Sequence, residues 1–157
     1  MTDWLDLRWP PIENDLFRGQ ESLKWMWFHS QATANKVSVG DRVLLYETYS
    51  QPAGRRVIRW WNARKGSKAI VAWGVVTGSP ECCEGDEVKG KVFNIRVPFQ
   101  VKRSVPRWDA ALGVRADRVR QITKQTSGRK IPLRCLLKLR PGEFEALRQE
   151  LERRCAR

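Results

Sequence analysis

Ser30-Gln31-Ala32-Thr33-Ala34-Asn35-Lys36-Val37-Ser38-Val39-Gly40-Asp41-Arg42-Val43-Leu44-Leu45-Tyr46-Glu47 contains a short helix, a turn and a strand in succession. Ser30 is a capping residue ahead of Gln31, Ala32, Thr33, Ala34, Asn35 and Lys36, which favour a brief helix. Gly40-Asp41 supplies a turn, and residues 42–47 read as a strand buried on at least one face.

The same punctuation continues on both sides. Proline excludes helix at the residue before it, so Arg8-Trp9-Pro10-Pro11 is extended and a first strand is expected over residues 4–9. Residues 69–77, an almost continuous β-branched run closed by Gly78-Ser79-Pro80, form the strongest strand in the chain. Residues 92–97 and 99–101 alternate apolar and polar side chains as strands with one wet face do. Between these, residues 50–68 read as a loop or hairpin-like excursion, and the acidic stretch 81–87 as a surface loop. Helical turns are expected at residues 108–112 and 116–121. A terminal helix begins at Pro141, with Phe144, Leu147 and Leu151 on one stripe and its charges arranged to suit the helix dipole. Strands, short helices and turn-rich loops without βαβ alternation give an α+β fold, a small barrel or strongly curled sheet of mixed strands, in one domain over residues 1–157.

Composition bears on function. The 157 residues carry eight tryptophans and a formal charge of +13, which joins flat stacking faces to a polyanion-attracting surface. A chain of this size buries roughly two-thirds of its unfolded surface and needs neither disulfide nor metal to fold. No stretch approaches the ~20 apolar residues of a membrane span, and Met1-Thr2-Asp3 lacks the basic start of a secretory signal, so a cytoplasmic protein is expected. Cys82 and Cys83 are adjacent, Cys135 and Cys155 are isolated, and His29 is the one histidine, a poor set for metal. No cofactor is expected.

Motifs for catalysis are absent from the sequence: there is no phosphate-cradling glycine loop, no HExxH and no local serine-nucleophile motif. Asp41 at its turn reads as a backbone-bonding residue, and Asp86 and Glu87 as solvated. Binding is better supplied. From Arg96 to Arg140 basic residues face only Asp109 and Asp117, and Lys102, Arg103, Arg118, Arg120, Lys124, Arg129 and Lys130 are the phosphate-contact candidates there, with Arg55, Arg56 and Arg59 on the excursion beside Trp60 and Trp61. Trp4 and Trp73 read mainly as packing residues. Trp25 and Trp27 share a side if their segment is extended, with His29, Ser30, Gln31 and Asn35 beside them. Such a group suits a planar base, held by its faces and read at its edge.

The segment 31–47, the strand 69–77 followed by Ser79-Pro80-Glu81, the run from Val97-Pro98-Phe99 to Val105-Pro106 with Leu112, and the closing Arg129-Lys130-Ile131-Pro132 and Pro141-Gly142-Glu143-Phe144 together resemble the EVE domain. The resemblance spans most of the chain and lies in the order and spacing of the pieces. It implies a PUA-like pseudobarrel, related to YTH and ASCH domains, that binds nucleic acid and receives a modified base in an aromatic-lined pocket. By that resemblance the base pocket would draw on Trp9, Trp25, Trp27, Ser30, Asn35, Tyr46 and Trp73. The expected partner is DNA or RNA, with no membrane. Two further readings stand beside it: an ASCH-like hydrolase of modified nucleobases, requiring Lys36, Asp41 or Glu47 to point inward, and a basic scaffold for an acidic protein.

Overall fold

The computed structural model describes residues 1–8, 25–47, 68–88, 91–106, 110–132 and 136–156. Its strands are β1 (Asp3–Arg8), β2 (Trp25–Phe28), β3 (Arg42–Glu47), β4 (Ala69–Val76), β5 (Glu81–Val88), β6 (Lys91–Ser104), β7 (Val114–Arg115) and β8 (Leu136–Leu139), and its helices are α1 (Gln31–Ala34), α2 (Ala116–Ser127) and α3 (Pro141–Cys155). A 3-10 turn at Ala110–Leu112 precedes β7. The sheet runs β2-β6-β4-β3-β1-β8, with β5 added to β6 and β7 to β4. Its pairings are antiparallel except for β1 beside β3. Three helices lie against this curled half-barrel, an α+β architecture as the sequence implies.

Local chemistry explains the opening helix and turn. The Ser30 hydroxyl accepts from the Thr33 N–H, the cap anticipated for α1. Gly40, at φ 89°, takes the left-handed conformation that side chains resist, and its N–H donates to the Val76 carbonyl at 2.9 Å. Asp41 then ties three segments together. Its carboxylate accepts from the Thr2 N–H at 2.8 Å, the Trp4 indole at 2.9 Å and the Ser38 N–H at 2.9 Å. Burial alone would push this carboxyl up, but those donors hold it below its usual value.

The terminal helix docks as its stripe dictates. Phe144, Leu147 and Leu151 are all 0% exposed, each contributing roughly 1.5–3 kcal/mol by burial. Glu143 caps the helix by accepting from the Arg140 N–H at 2.9 Å and also receives Arg129 and Ser127.

Four expectations are corrected. The first strand is Asp3–Arg8, one residue earlier than 4–9, in register with β3 from Asp3↔Arg42 to Arg8↔Glu47. The acidic stretch is a strand and not a loop: β5 pairs with β6 from Glu81↔Arg96 to Val88↔Lys91 and leaves Glu81 and Glu84 exposed, charges that suit an edge. The two strands expected around Pro98 are one, because the Pro98 carbonyl still accepts, from Thr77 N–H at 3.0 Å, while its missing N–H interrupts only one bond of the ladder. The turn at 116–121 continues to Ser127, where Gly128 at φ 73° stops it. β8, which the sequence reading did not distinguish, pairs with β1.

Candidate nucleic-acid interface

Strand alternation divides β2 between two clusters. Met26 and Phe28, opposite Val97 and Ile95, are 0% and 2% exposed in the main core. Trp25 and Trp27 point the other way. Trp27 packs with Phe93 in a second, smaller cluster, joined by half-buried Trp25 and Cys83. The expected common side of Trp25 and Trp27 is therefore present.

The polar groups around this cluster are specific. The Arg96 guanidinium lies 3.9 Å from the centre of the Trp25 ring and donates through Nε to Glu81 at 2.6 Å. Exposed His29 meets Phe93 edge-on at 5.3 Å between ring centres. Burial pushes the Cys83 thiol up, against the opposing pull of Arg96, so it stays protonated at neutral pH. An aromatic face, a planar cation and an exposed imidazole are what stacking plus edge recognition of a base requires. Phe93 and Arg96 are absent from the sequence-based site, since only the β2–β6 and β5–β6 registers bring them to Trp25.

The other described pocket candidates have different surroundings. Ser30 caps α1, and Asn35 is exposed and accepts from Gln31 at 2.7 Å. Tyr46 is 1% exposed in the main core, where burial pushes its phenol up to about 12. Trp73 packs edge-on against Phe144, lies under Arg148 and donates to Glu152 at 3.0 Å, which makes it part of the α3 seat. Trp9 is outside the described residues. Of the six that are described, Trp25 and Trp27 alone are brought together with the second cluster. Of the residues the hydrolase reading would use, Asp41 is committed to its three donors and Glu47 is buried at the end of β3, while Lys36 is exposed.

The phosphate candidates sort by their partners. Arg129 is taken by buried Glu143 at 2.6 Å, and Arg118 by Glu150 and Gln121. Lys102 donates to Gln100 at 2.8 Å. Arg103, Arg120, Lys124 and Lys130 are exposed. Arg55, Arg56 and Arg59 lie outside the described residues, as do Trp60 and Trp61. Among the described residues no group of three or more His, Cys, Asp or Glu is placed to hold a metal ion, and no helix is long and apolar enough to cross a membrane.

No family model and no curated protein matches the sequence. Solved structures do match the fold. A hypothetical protein from Leishmania major aligns over 98% of this chain and 96% of its own, with a TM-score of 0.55 and 12% identity. Human THYN1 in complex with DNA containing 5-methylcytosine aligns over 98% of both chains, with a TM-score of 0.55 and 10% identity. The Mmi1 YTH domain in complex with RNA aligns over 97% of this chain and 79% of its own, with a TM-score of 0.56 and 5% identity. The half-barrel is thus a PUA-like fold.

Proposed function

We propose that this protein is a nucleic-acid-binding module, not an enzyme, and that a modified base, unstacked or flipped, is received at the outward cluster of Trp25, Trp27, Phe93, His29 and Arg96. One observation carries the reading: β2 turns two indoles away from the main apolar core into a separate aromatic cluster, in which Trp27 and Phe93 are buried and Trp25 is half-buried. The likeness in fold to a protein bound to 5-methylcytosine DNA and to a YTH domain bound to RNA supports the same reading.

In this arrangement the base stacks on Trp25, with the Arg96 guanidinium as a second planar surface or a phosphate ligand, and His29 is placed to read an edge. The closure is the EVE-type mode, with a cage drawn from β2, β5 and β6. A screen of single- and double-stranded oligonucleotides bearing methylated, hydroxymethylated and unmodified bases tests it. Preference for a modified base, reduced about tenfold or more by Trp25→Ala, is expected from the ~1–3 kcal/mol that each aromatic stack contributes. A folded Trp25→Ala protein that binds every oligonucleotide as the parent does refutes the assignment.

A further inference from the structure

The arginines differ in what already occupies them. Arg42 grips Asp3 and Glu145, Arg129 takes Glu143, Arg148 takes Glu145 and Glu152, and Arg118, Arg153 and Arg154 converge on Glu150. Apart from Arg42–Asp3, which joins β3 to β1, these pairs fasten α3 to its surroundings or brace its surface. A phosphate approaching them competes with a carboxylate already in place.

A different set of cations gathers where β4 begins. Register sets Glu47 of β3 beside Ala69 of β4, and Ala69 beside Arg115 of β7. Lys68 immediately precedes β4, and its carbonyl accepts the Ala116 N–H that opens α2, at 3.1 Å. Arg120 and Lys124 follow one turn apart on one side of that helix. Lys68, Arg120 and Lys124 are all exposed. Asp117 meets Arg120 at 3.7 Å, but at 50% and 103% side-chain exposure this pair yields readily to a stronger anion. The amino end of α2 adds its partial positive charge.

We infer that Lys68, Arg120 and Lys124 form a rim that holds the sugar–phosphate backbone of the bound nucleic acid. The inference rests on the nucleic-acid reading above and adds where the backbone lies. The aromatic site is at the other end of β4: Val76 pairs with Phe99, and the partners of Trp25 and Trp27, Pro98 and Arg96, lie beyond it. β4 covers about 23 Å at about 3.3 Å per residue. Both sites are therefore engaged only by a ligand of about seven base pairs or more, at about 3.4 Å each.

The full chain, an Arg120→Gln/Lys124→Gln variant and a Lys91→Gln/Lys138→Gln control, each checked for fold by circular dichroism, are titrated over a range of salt with an oligonucleotide of about sixteen nucleotides. Each pair removes two exposed positive charges. The rim pair is expected to lower the slope of log affinity against log salt by about 1.4–1.8, at ~0.7–0.9 per phosphate contact, and the control to leave it unchanged. Equal effects of the two pairs, or none from the rim pair, overturn the inference while the nucleic-acid reading stands. A parent chain that binds no oligonucleotide even at low salt overturns both.

Discussion

Arg96 covers Trp25, its guanidinium carbon 3.9 Å from the ring centre, and is held there by a 2.6 Å bond to Glu81. One face of the indole is thus occupied by a cation whose own partner is a half-exposed carboxylate, at 44%. Glu81→Gln removes the charge that both restrains Arg96 and repels phosphate. A partly exposed pair contributes about 0.2–1 kcal/mol, so affinity for an oligonucleotide should rise about 1.4- to fivefold, since 1.4 kcal/mol is tenfold. Arg96→Gln should lower it by a similar or larger factor. Fluorescence anisotropy measures both, and two unchanged affinities would reduce the pair to a structural contact.

Asp41 yields a prediction of the opposite kind, on stability alone. It is 3% exposed and satisfies Thr2, Trp4 and Ser38 together. Asp41→Ala leaves those donors without their acceptor at a cost of about 3 kcal/mol, which lowers Tm by about 6–12 °C in a chain of this size. The folded fraction should bind oligonucleotides as the parent does. A loss of affinity without a loss of stability would return Asp41 to the candidate site.

How legible these features were depends on the range of the forces involved. The cap at Ser30, the turn at Gly40-Asp41, β3, β4 and the stripe of α3 follow from residues near one another in sequence, and the structure has them with boundaries shifted by a residue or so. The acidic strand β5 was misread because its pairing with β6 lies in backbone bonds that composition does not encode. For the site, alternation alone put Trp25 and Trp27 on one side. It could not show that Arg96 and Phe93 meet them, nor that Tyr46 lies in the main core while Trp73 packs half-buried against α3. Likewise, counting positive residues between 96 and 140 treats Arg129 and Lys124 alike, although one is bound to a buried glutamate and the other stands in solvent.

Gly74 tests the closeness of β4 and β6. The pairing of these strands shifts register between Trp73 and Gly74, and a Cβ on Gly74 would run into the Gln100 carbonyl and the Phe99 ring. Backbone is the obstacle, so a rotamer change gives no relief. Gly74→Ala should destabilise by about 1–3 kcal/mol or more, as overpacked cores do. Chemical denaturation measures it, and a variant as stable as the parent would mean that the two strands separate there with little penalty.

Acid should unfold this protein through α3. Glu143 is 0% exposed; burial would push its carboxyl up, but Arg129, Ser127 and the Arg140 N–H overcome that and lower it to about 2. Glu150 is likewise lowered to about 2, against the push of burial, by Arg154, Arg118 and Arg153. Because each group titrates lower in the folded chain than its usual 4.5, the unfolded chain takes up protons first as pH falls. Their stabilisation is complete above about 4.5 and is lost towards 2, and for Glu143 it is on the order of 3 kcal/mol. Glu143→Gln should be less stable than the parent at pH 7 by about 2–4 kcal/mol, since it leaves Arg129 unpaired. Its stability should then fall less steeply in acid, so that the two curves converge near the folded titration at about 2. Denaturant midpoints collected across that range decide the matter, and curves that stay parallel would show that Glu143 does not set the acid limb.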